Sequence, residues 1–249
     1  MQPRISLIIA VKNAESTLGR CLRSIALQGH SNLELIIVDG LSIDRTPEII
    51  QRWQALISQS INSQDKGIYD AWNKGLELAS GEWICFLGAD DVLLPGALHG
   101  YTLHAQLSVN RGLEFISSRA IVFDPDSLRE RVIGRPWEWK SLRRHMGVIH
   151  IGSFHHRRLF DRVGVFDPTA RIVGDYAFLL RAGPVLRARF YAATTVRIQS
   201  DGLSRRSYGV LEETMQTRKK ILAMPRYVLL PQYYLDTVKF VLRRLLGVP

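Results

Sequence analysis

Apolar residues follow two rhythms along this chain, and the change between them divides it. The runs Ile5-Ser6-Leu7-Ile8-Ile9-Ala10-Val11, Leu33-Glu34-Leu35-Ile36-Ile37-Val38 and Trp83-Ile84-Cys85-Phe86-Leu87 are β-rich and nearly unbroken, as strands are when both faces of their sheet are covered. Between them apolar positions recur three and four apart. Leu18, Cys21, Leu22 and Ile25 mark a helix that Asn13 is placed to cap. Thr46-Pro47-Glu48 offers a second helix a capping hydroxyl, a first-turn proline and an acid facing the helix dipole. Ile68 to Ala79 reads as a third helix, stopped by Ser80-Gly81. The order β-α-β-α-β-α-β over the first hundred residues predicts an α/β architecture, a parallel sheet covered by helices.

Beyond residue 112 the pieces shorten. Leu113–Ile116, Ala120–Phe123 and Leu128–Ile133 read as strands, the last two separated by an Asp124-Pro125-Asp126 turn. A helix follows around Asp175–Ala182, then a strand pair near Leu186–Tyr191 and Thr195–Gln199, and two closing helices, Tyr208–Leu222 and Pro231–Leu246. With no internal repeat and no low-complexity linker, the 249 residues suit one domain over 1–225, made of halves 1–110 and 111–225, and a C-terminal amphipathic segment over 226–249.

Composition adds exclusions. Two cysteines, Cys21 and Cys85, each inside an apolar stretch, are too few for a disulfide framework and read as reduced core thiols. The first apolar run is too short to span a bilayer and has no cleavage pattern, and the C-terminal stretch is broken by Asp236, Lys239, Arg243 and Arg244. A cytoplasmic protein without a spanning helix is expected.

Charge is uneven. Residues 1–110 carry 8 basic and 11 acidic side chains, and residues 111–249 carry 25 and 12, so the formal charge of +10 comes entirely from the second half. From Arg218 onward seven basic residues face Asp236 alone. The excess fits either a solvated basic face or an anionic partner. Nucleic acid is not expected, because no nucleic-acid motif is present and the acidic half would repel phosphates. Leu235, Val238, Leu242, Leu245 and Leu246 share one helical face, which suits docking on an anionic membrane surface or packing on the domain.

Ligands of open α/β sheets bind beyond the carboxyl ends of the strands. The residues there are Lys12-Asn13, Asp39-Gly40 and Asp90-Asp91, with Gln64-Asp65-Lys66-Gly67 ahead of the third helix. Carboxylates gathered at one edge repel one another unless a cation or hydrogen-bond donors offset them. Asp90-Asp91 offers hard oxygen ligands for Mg2+ or Mn2+, or equally caps a following helix. Phosphate-loop and nicotinamide fingerprints are absent.

Five segments in order carry a resemblance: Ser6–Ala14, Glu34–Thr46, Asp65–Gly75, Ala79–Asp91 and Gly174-Asp175-Tyr176. Over roughly residues 5–205 the chain resembles glycosyltransferase family 2, inverting enzymes of the GT-A fold that use nucleotide-sugar donors. The resemblance implies a Rossmann-like, mostly parallel sheet flanked by helices, with a smaller mixed acceptor-side lobe. It implies that Ala10, Lys12, Asn13, Asp39, Asp65, Asn73, Lys74 and Asp90 form the nucleotide pocket. Asp90 and Asp91 match the family's metal and diphosphate element, with Gly88 where many members have another acid or Asn. Asp175 matches the catalytic base, its local alternative being a helix cap. His150 matches an acceptor-side histidine, or is a hydrogen-bonded structural one, and Arg205 and Arg206, where the family has a loop that folds over the donor, clamp the diphosphate, or are solvated. His155-His156 is no metal pair, since neighbours on a strand point to opposite faces, and Tyr69 and Trp72 read as packing residues.

The implied activity is inverting transfer from a nucleotide-sugar, a UDP-sugar first, to a hydroxyl of a glycan or lipid-linked glycan acceptor in cell-surface polysaccharide or lipid-linked oligosaccharide synthesis. Mn2+ or Mg2+ is the expected cofactor. The competing reading is a noncatalytic nucleotide- or glycan-binding scaffold of the same fold, against which the presence of Asp90, Asp91 and Asp175 argues.

Overall fold

The computed structural model describes residues 2–107, 112–125, 127–199 and 207–245, with side chains through 242 in the last helix. The first half follows the expected order: β1 (Ile5–Val11), α1 (Leu18–Ala26), β2 (Leu33–Asp39), α2 (Thr46–Arg52), β3 (Gln59–Asn62), α3 (Ile68–Leu78) and β4 (Trp83–Gly88). After it come β5 (Val92–Leu93), α4 (Ala97–Gln106), β6 (Phe115–Asp124), β7 (Arg129–Ile133), α5 (Trp139–Leu142), β8 (Phe154–His156), α6 (Arg157–Val163), α7 (Gly174–Ala182), β9 (Ala188–Gln199), α8 (Gly209–Leu222) and α9 (Arg226–Leu245).

All strands described join one sheet, in the order β3-β2-β1-β4-β8-β6-β9-β5 with β7 on β6. β3, β2, β1 and β4 are mutually parallel. β8 is antiparallel to β4 and to β6, while β6 and β9 run parallel. The unbroken apolar runs are explained by two cores. Ile5, Leu7, Ile9 and Val11 of β1 face one, with α1; Ile8, on the other side, joins Ile36, Val38, Tyr69, Trp72 and Phe86 in the second. Alternating strand residues therefore point into opposite apolar layers, and no position needs to be polar.

Several local expectations are corrected. Asn13 does not cap α1: the helix begins five residues later, and Asn13 sits in the left-handed region with its Oδ1 accepting from Ile43 N at 2.9 Å. Thr46 does not cap α2; its Oγ1 accepts from Ala14 N at 2.8 Å, while Asp44 Oδ1 takes Thr46's own N–H at 2.9 Å. The two pieces expected over 113–123 are one ten-residue strand, β6, and the pair expected over 186–199 is the twelve-residue β9. Register shifts between β6 and β9 absorb the polar residues that read as breaks. Helix α9 begins before Pro231, which lies inside it rather than in its first turn. The expected turn runs into residue 126 and the expected last helix into 246, both outside the described residues.

Candidate active site

The four parallel strands end together. Val11 is level with Asp39, Asp39 with Asn62, and Ala10 with Gly88, so the loops that follow open along one edge. Buried Asp39 is fixed by its own loop, its Oδ1 accepting from Ser42 N at 3.0 Å and Ser42 Oγ at 2.6 Å. The 12–15 and 42–46 loops are stitched together by Asn13 N to Ser42 Oγ at 2.8 Å and Glu15 N to Asp44 Oδ2 at 3.0 Å. A side-chain carbon at Gly40 would stand 2.2 Å from Asp65 Oδ2 and 3.5 Å from Lys12 Cδ. Asp65 and Lys12 therefore converge over the end of β2, far apart in sequence but adjacent at the edge. Asp65 Oδ1 also accepts from Gly67 N at 2.9 Å, shaping the turn into α3.

At the end of β4, Asp91 is buried and Asp90 half-buried. Asp91 Oδ2 accepts from Gly88 N at 2.8 Å. A side-chain carbon at Gly88 would lie 2.6 Å from Asp91 Oδ2 and 2.7 Å from Asp90 Oδ1. Glycine thus leaves room where oxygens of the two aspartates approach the end of β4. Paired hard oxygens fit Mg2+ or Mn2+, which commonly take one or two carboxylates and complete their shell with phosphate and water. Among the described residues no group of three or more His, Cys, Asp or Glu is placed to hold a metal ion.

Asp175 opens α7 from the other side. Its Oδ1 accepts from Tyr176 N at 2.8 Å and from Tyr69 Oη at 3.2 Å. Among the described residues its Oδ2 has no hydrogen-bond partner from another residue, so one oxygen of this half-buried carboxylate is held and the other is not. Desolvation raises the Asp175 carboxyl above the ordinary range; the Tyr176 and Tyr69 hydrogen bonds oppose that rise, and the charge of Glu213 adds to it. Tyr69 Oη also lies 2.8 Å from Ile172 O, so its single proton has two acceptors. Glu213 on α8 accepts from Arg171, Ile172 and Val173 N at 3.0–3.1 Å and so clasps the approach to α7.

Helix α3 joins the two carboxylate groups. The turn ahead of it carries Asp65, and its second residue, Tyr69, reaches Asp175. A side-chain carbon at Gly174 would come within 2.8 Å of the Tyr69 ring, so glycine there lets α7 close on α3. Tyr69 and Glu213 are the residues that sequence reading misses: Tyr69 read as packing, and Glu213 carried no signal at all. The nearest clue was the sequence Gly174-Asp175 at a helix start.

The other expected residues divide. Ala10 ends in register with Gly88, half-buried at the edge. Lys74 Nζ is tied to Ser63 Oγ at 3.3 Å, to Gln64 O and to Asp70 Oδ2 at 3.4 Å, so it braces the β3 loop. Asn73 spends both ends of its amide on Phe166, with Nδ2 to O at 2.9 Å and N to Oδ1 at 3.0 Å, which pins the acceptor-side loop. His150 is 3% exposed, stacked on Trp72 and Phe86 at centroid distances of 5.3 and 5.6 Å. Neither ring nitrogen meets a partner among the described residues, so it is a stacked ring and not the hydrogen-bonded histidine expected. Burial and the adjacent His155 push it well below the ordinary imidazole value and keep it neutral. His155 and His156 do point apart, one to Ile84 O at 3.3 Å and the other to Glu82 Oε1 at 3.3 Å. Cys21 and Cys85 are free and buried. Arg205 and Arg206 lie outside the described residues. A cavity of about 540 Å3, lined by Arg4, Glu82, His156 and Arg157, opens at the opposite ends of the strands, away from these carboxylates.

Comparison with known proteins bears on the family and the fold. Residues 6–106 match the family model described as Glycosyl transferase family 2. A "PGL/p-HBAD biosynthesis glycosyltransferase" of Mycobacterium tuberculosis is 30% identical over 198 residues, covering 76% of this chain and 73% of the relative. The Campylobacter jejuni "GalNAc(5)-diNAcBac-PP-undecaprenol beta-1,3-glucosyltransferase" is 31% identical over 143 residues, 56% of this chain and 45% of its own. Among solved structures, S. aureus TarS 1-349 in complex with UDP-GlcNAc superposes with a TM-score of 0.65 at 16% identity, covering 86% of this chain and 66% of that one. The mannosyltransferase PcManGT from Pyrobaculum calidifontis, in complex with GDP-Man and Mn2+, gives 0.61 at 17% identity, covering 96% and 65%. At such identities the structural likeness is one of fold.

Proposed function

Since the chain belongs to glycosyl transferase family 2 and is a glycosyltransferase, we propose that it moves a sugar from a UDP-sugar to a hydroxyl of a glycan or lipid-linked glycan acceptor, with inversion. The observation that carries the reading is the span of α3 between the carboxylate edge and Asp175. It supports a donor laid along the edge and an acceptor hydroxyl arriving from the α7 side. The relative named for glucosyl transfer to GalNAc(5)-diNAcBac-PP-undecaprenol supports that acceptor class, and a fold neighbour solved with UDP-GlcNAc supports the donor class.

In this reading Asp39, Asp65 and Lys12 hold the nucleoside, with Ala10 and Asn13 beside them and Asn73 and Lys74 bracing the walls. The carboxylates of Asp90 and Asp91 would hold Mg2+ or Mn2+, whose charge offsets that of the departing diphosphate. The free Oδ2 of Asp175 takes the proton of the acceptor hydroxyl as its oxygen bonds to the anomeric carbon. The bond from that carbon to the diphosphate oxygen breaks, and its electron pair leaves with the nucleoside diphosphate. Attack and departure on opposite faces invert the carbon and need no enzyme nucleophile. Tyr69 and the N–H of Tyr176 hold Oδ1, which leaves Oδ2 for the proton, and the raised carboxyl is a better match to an alcohol proton than an ordinary aspartate.

The test is turnover of a panel of UDP-, GDP- and dTDP-sugars against lipid-linked and soluble glycan acceptors, with the anomeric configuration of the product read by proton NMR. Inverted product from a UDP-sugar is expected. Retained configuration, or sugar transfer only from another nucleotide, would overturn the corresponding part.

A further inference from the structure

Helix α9 packs by one face and leaves the other bare. Toward the domain, Leu229 is 3% exposed, Asp236 Oδ2 accepts from Arg218 Nη1 at 3.2 Å, and the Phe240 and Tyr208 rings lie 4.9 Å apart. Toward solvent, Tyr227, Leu230, Tyr234, Val238 and Leu242 are 79, 44, 65, 55 and 49% exposed. Spaced three or four apart, they form one stripe along the helix. Single exposed apolar residues are ordinary, whereas a contiguous strip of them marks a contact surface.

Charge selects the partner. Asp236 is the only acidic residue of α9 and is turned inward onto buried Arg218. Exposed Arg226 and Lys239 accompany the stripe, and exposed Lys219 stands on the neighbouring α8. A second copy of the chain meeting this face would bring those cations together with no acid of α9 to answer them. An anionic lipid surface answers all of them at once. No helix of the described residues is long and apolar enough to cross a membrane, which leaves a helix lying along it.

We propose that α9 docks on an anionic lipid surface, with Tyr227, Leu230, Tyr234, Val238 and Leu242 in the boundary between headgroups and acyl chains and Arg226 and Lys239 on lipid phosphates. The tyrosines suit that boundary, with an apolar ring and a polar tip. The inference goes beyond the transfer reaction and does not depend on the donor.

The test is co-sedimentation of the full chain with phosphatidylcholine vesicles, pure or containing about one third phosphatidylglycerol. Binding is expected to the anionic vesicles only, and to weaken as NaCl rises from ~0.1 M to ~0.5 M. The variant L230S/Y234S/V238S should lower the bound fraction by about tenfold or more, and R226E/K239E should abolish the preference for anionic lipid. Both should keep wild-type UDP affinity and a cooperative melt, which separates this failure from failure of the donor site. Wild-type chain that ignores anionic vesicles, binds neutral ones equally, or binds unchanged after the triple substitution would overturn the proposal. So would a wild-type dimer by light scattering that the triple variant dissolves without any vesicle binding.

Discussion

The carboxylates at the strand edge and Asp175 are held in different ways. Along the edge each carboxylate is anchored by near neighbours in the chain: Asp39 by Ser42, Asp65 by Gly67 and Asp91 by Gly88. Asp175 has such a near neighbour too, Tyr176 N, but is also held by Tyr69 of α3, and the segment before it by Glu213 of α8. Local anchoring keeps several groups pointing out of one open edge, where a ligand can replace or join their contacts. At Asp175 a local and a long-range contact together fix one oxygen of one carboxylate in a partly desolvated setting. Binding needs many modest contacts, whereas a base needs a set position and a set protonation state.

Removing the base breaks the comparison most severely. Asp175→Asn keeps the shape and removes the proton acceptor, so kcat is expected to fall by about 10^2 to 10^4 while UDP affinity stays at the wild-type level, measured by turnover and calorimetry. Equal loss of both would merge the two regions into one. Next comes the end of β4. Gly88→Ala places a carbon within 2.7 Å of oxygens of both Asp90 and Asp91, and metal-dependent UDP binding should weaken by about 10- to 100-fold, with binding in EDTA little changed.

Tyr69→Phe sharpens the account of the base without touching the edge. The lost hydroxyl stabilises the charged carboxylate, so its removal raises the Asp175 carboxyl further, and the acid limb of the kcat profile moves to higher pH. On that limb the rate should drop by about tenfold, the worth of one hydrogen bond to a charged group, with KM for the donor unchanged. An unshifted limb would reduce Tyr69 to packing. The smallest effect concerns the aromatic layer beneath α3. Burial pushes His155 down to about 3 and His150 well below the usual value. Below about pH 6.5 the unfolded chain takes up protons that the folded chain refuses, so stability should fall as the pH drops. His155→Phe should flatten that acid-side slope in urea melts at a series of pH values.

The same contrast explains what the sequence made legible. β1, β2 and β4, the helices between them and the acids at their ends follow from local periodicity, because strand runs and turn residues there are contiguous. β6 and β9 were broken into fragments at 117–119 and 192–194, where Ser117, Ser118, Arg119 and Thr194 interrupt the apolar pattern; their strand state comes from pairing across the sheet, with Ser118 Oγ 2.5 Å from Thr195 Oγ1. Asp175 was reachable only through the family resemblance, because a Gly-Asp-Tyr before an apolar run is equally a helix start. Tyr69 and Glu213 were out of reach for a plainer reason: their meaning lies in contacts with residues distant along the chain. Asn73 and His150, assigned to ligand contact by resemblance, turn out to be committed to Phe166 and to Trp72 and Phe86.

The division of labour between edge and base is tested most directly by titrating UDP, with Mn2+ and then with EDTA, into wild-type protein, Asp91→Ala and Asp175→Asn. The account predicts that Asp175→Asn binds as the wild type does in Mn2+, and that Asp91→Ala falls to the level seen in EDTA. Loss of UDP binding in Asp175→Asn, or Mn2+-dependent binding intact in Asp91→Ala, would contradict it.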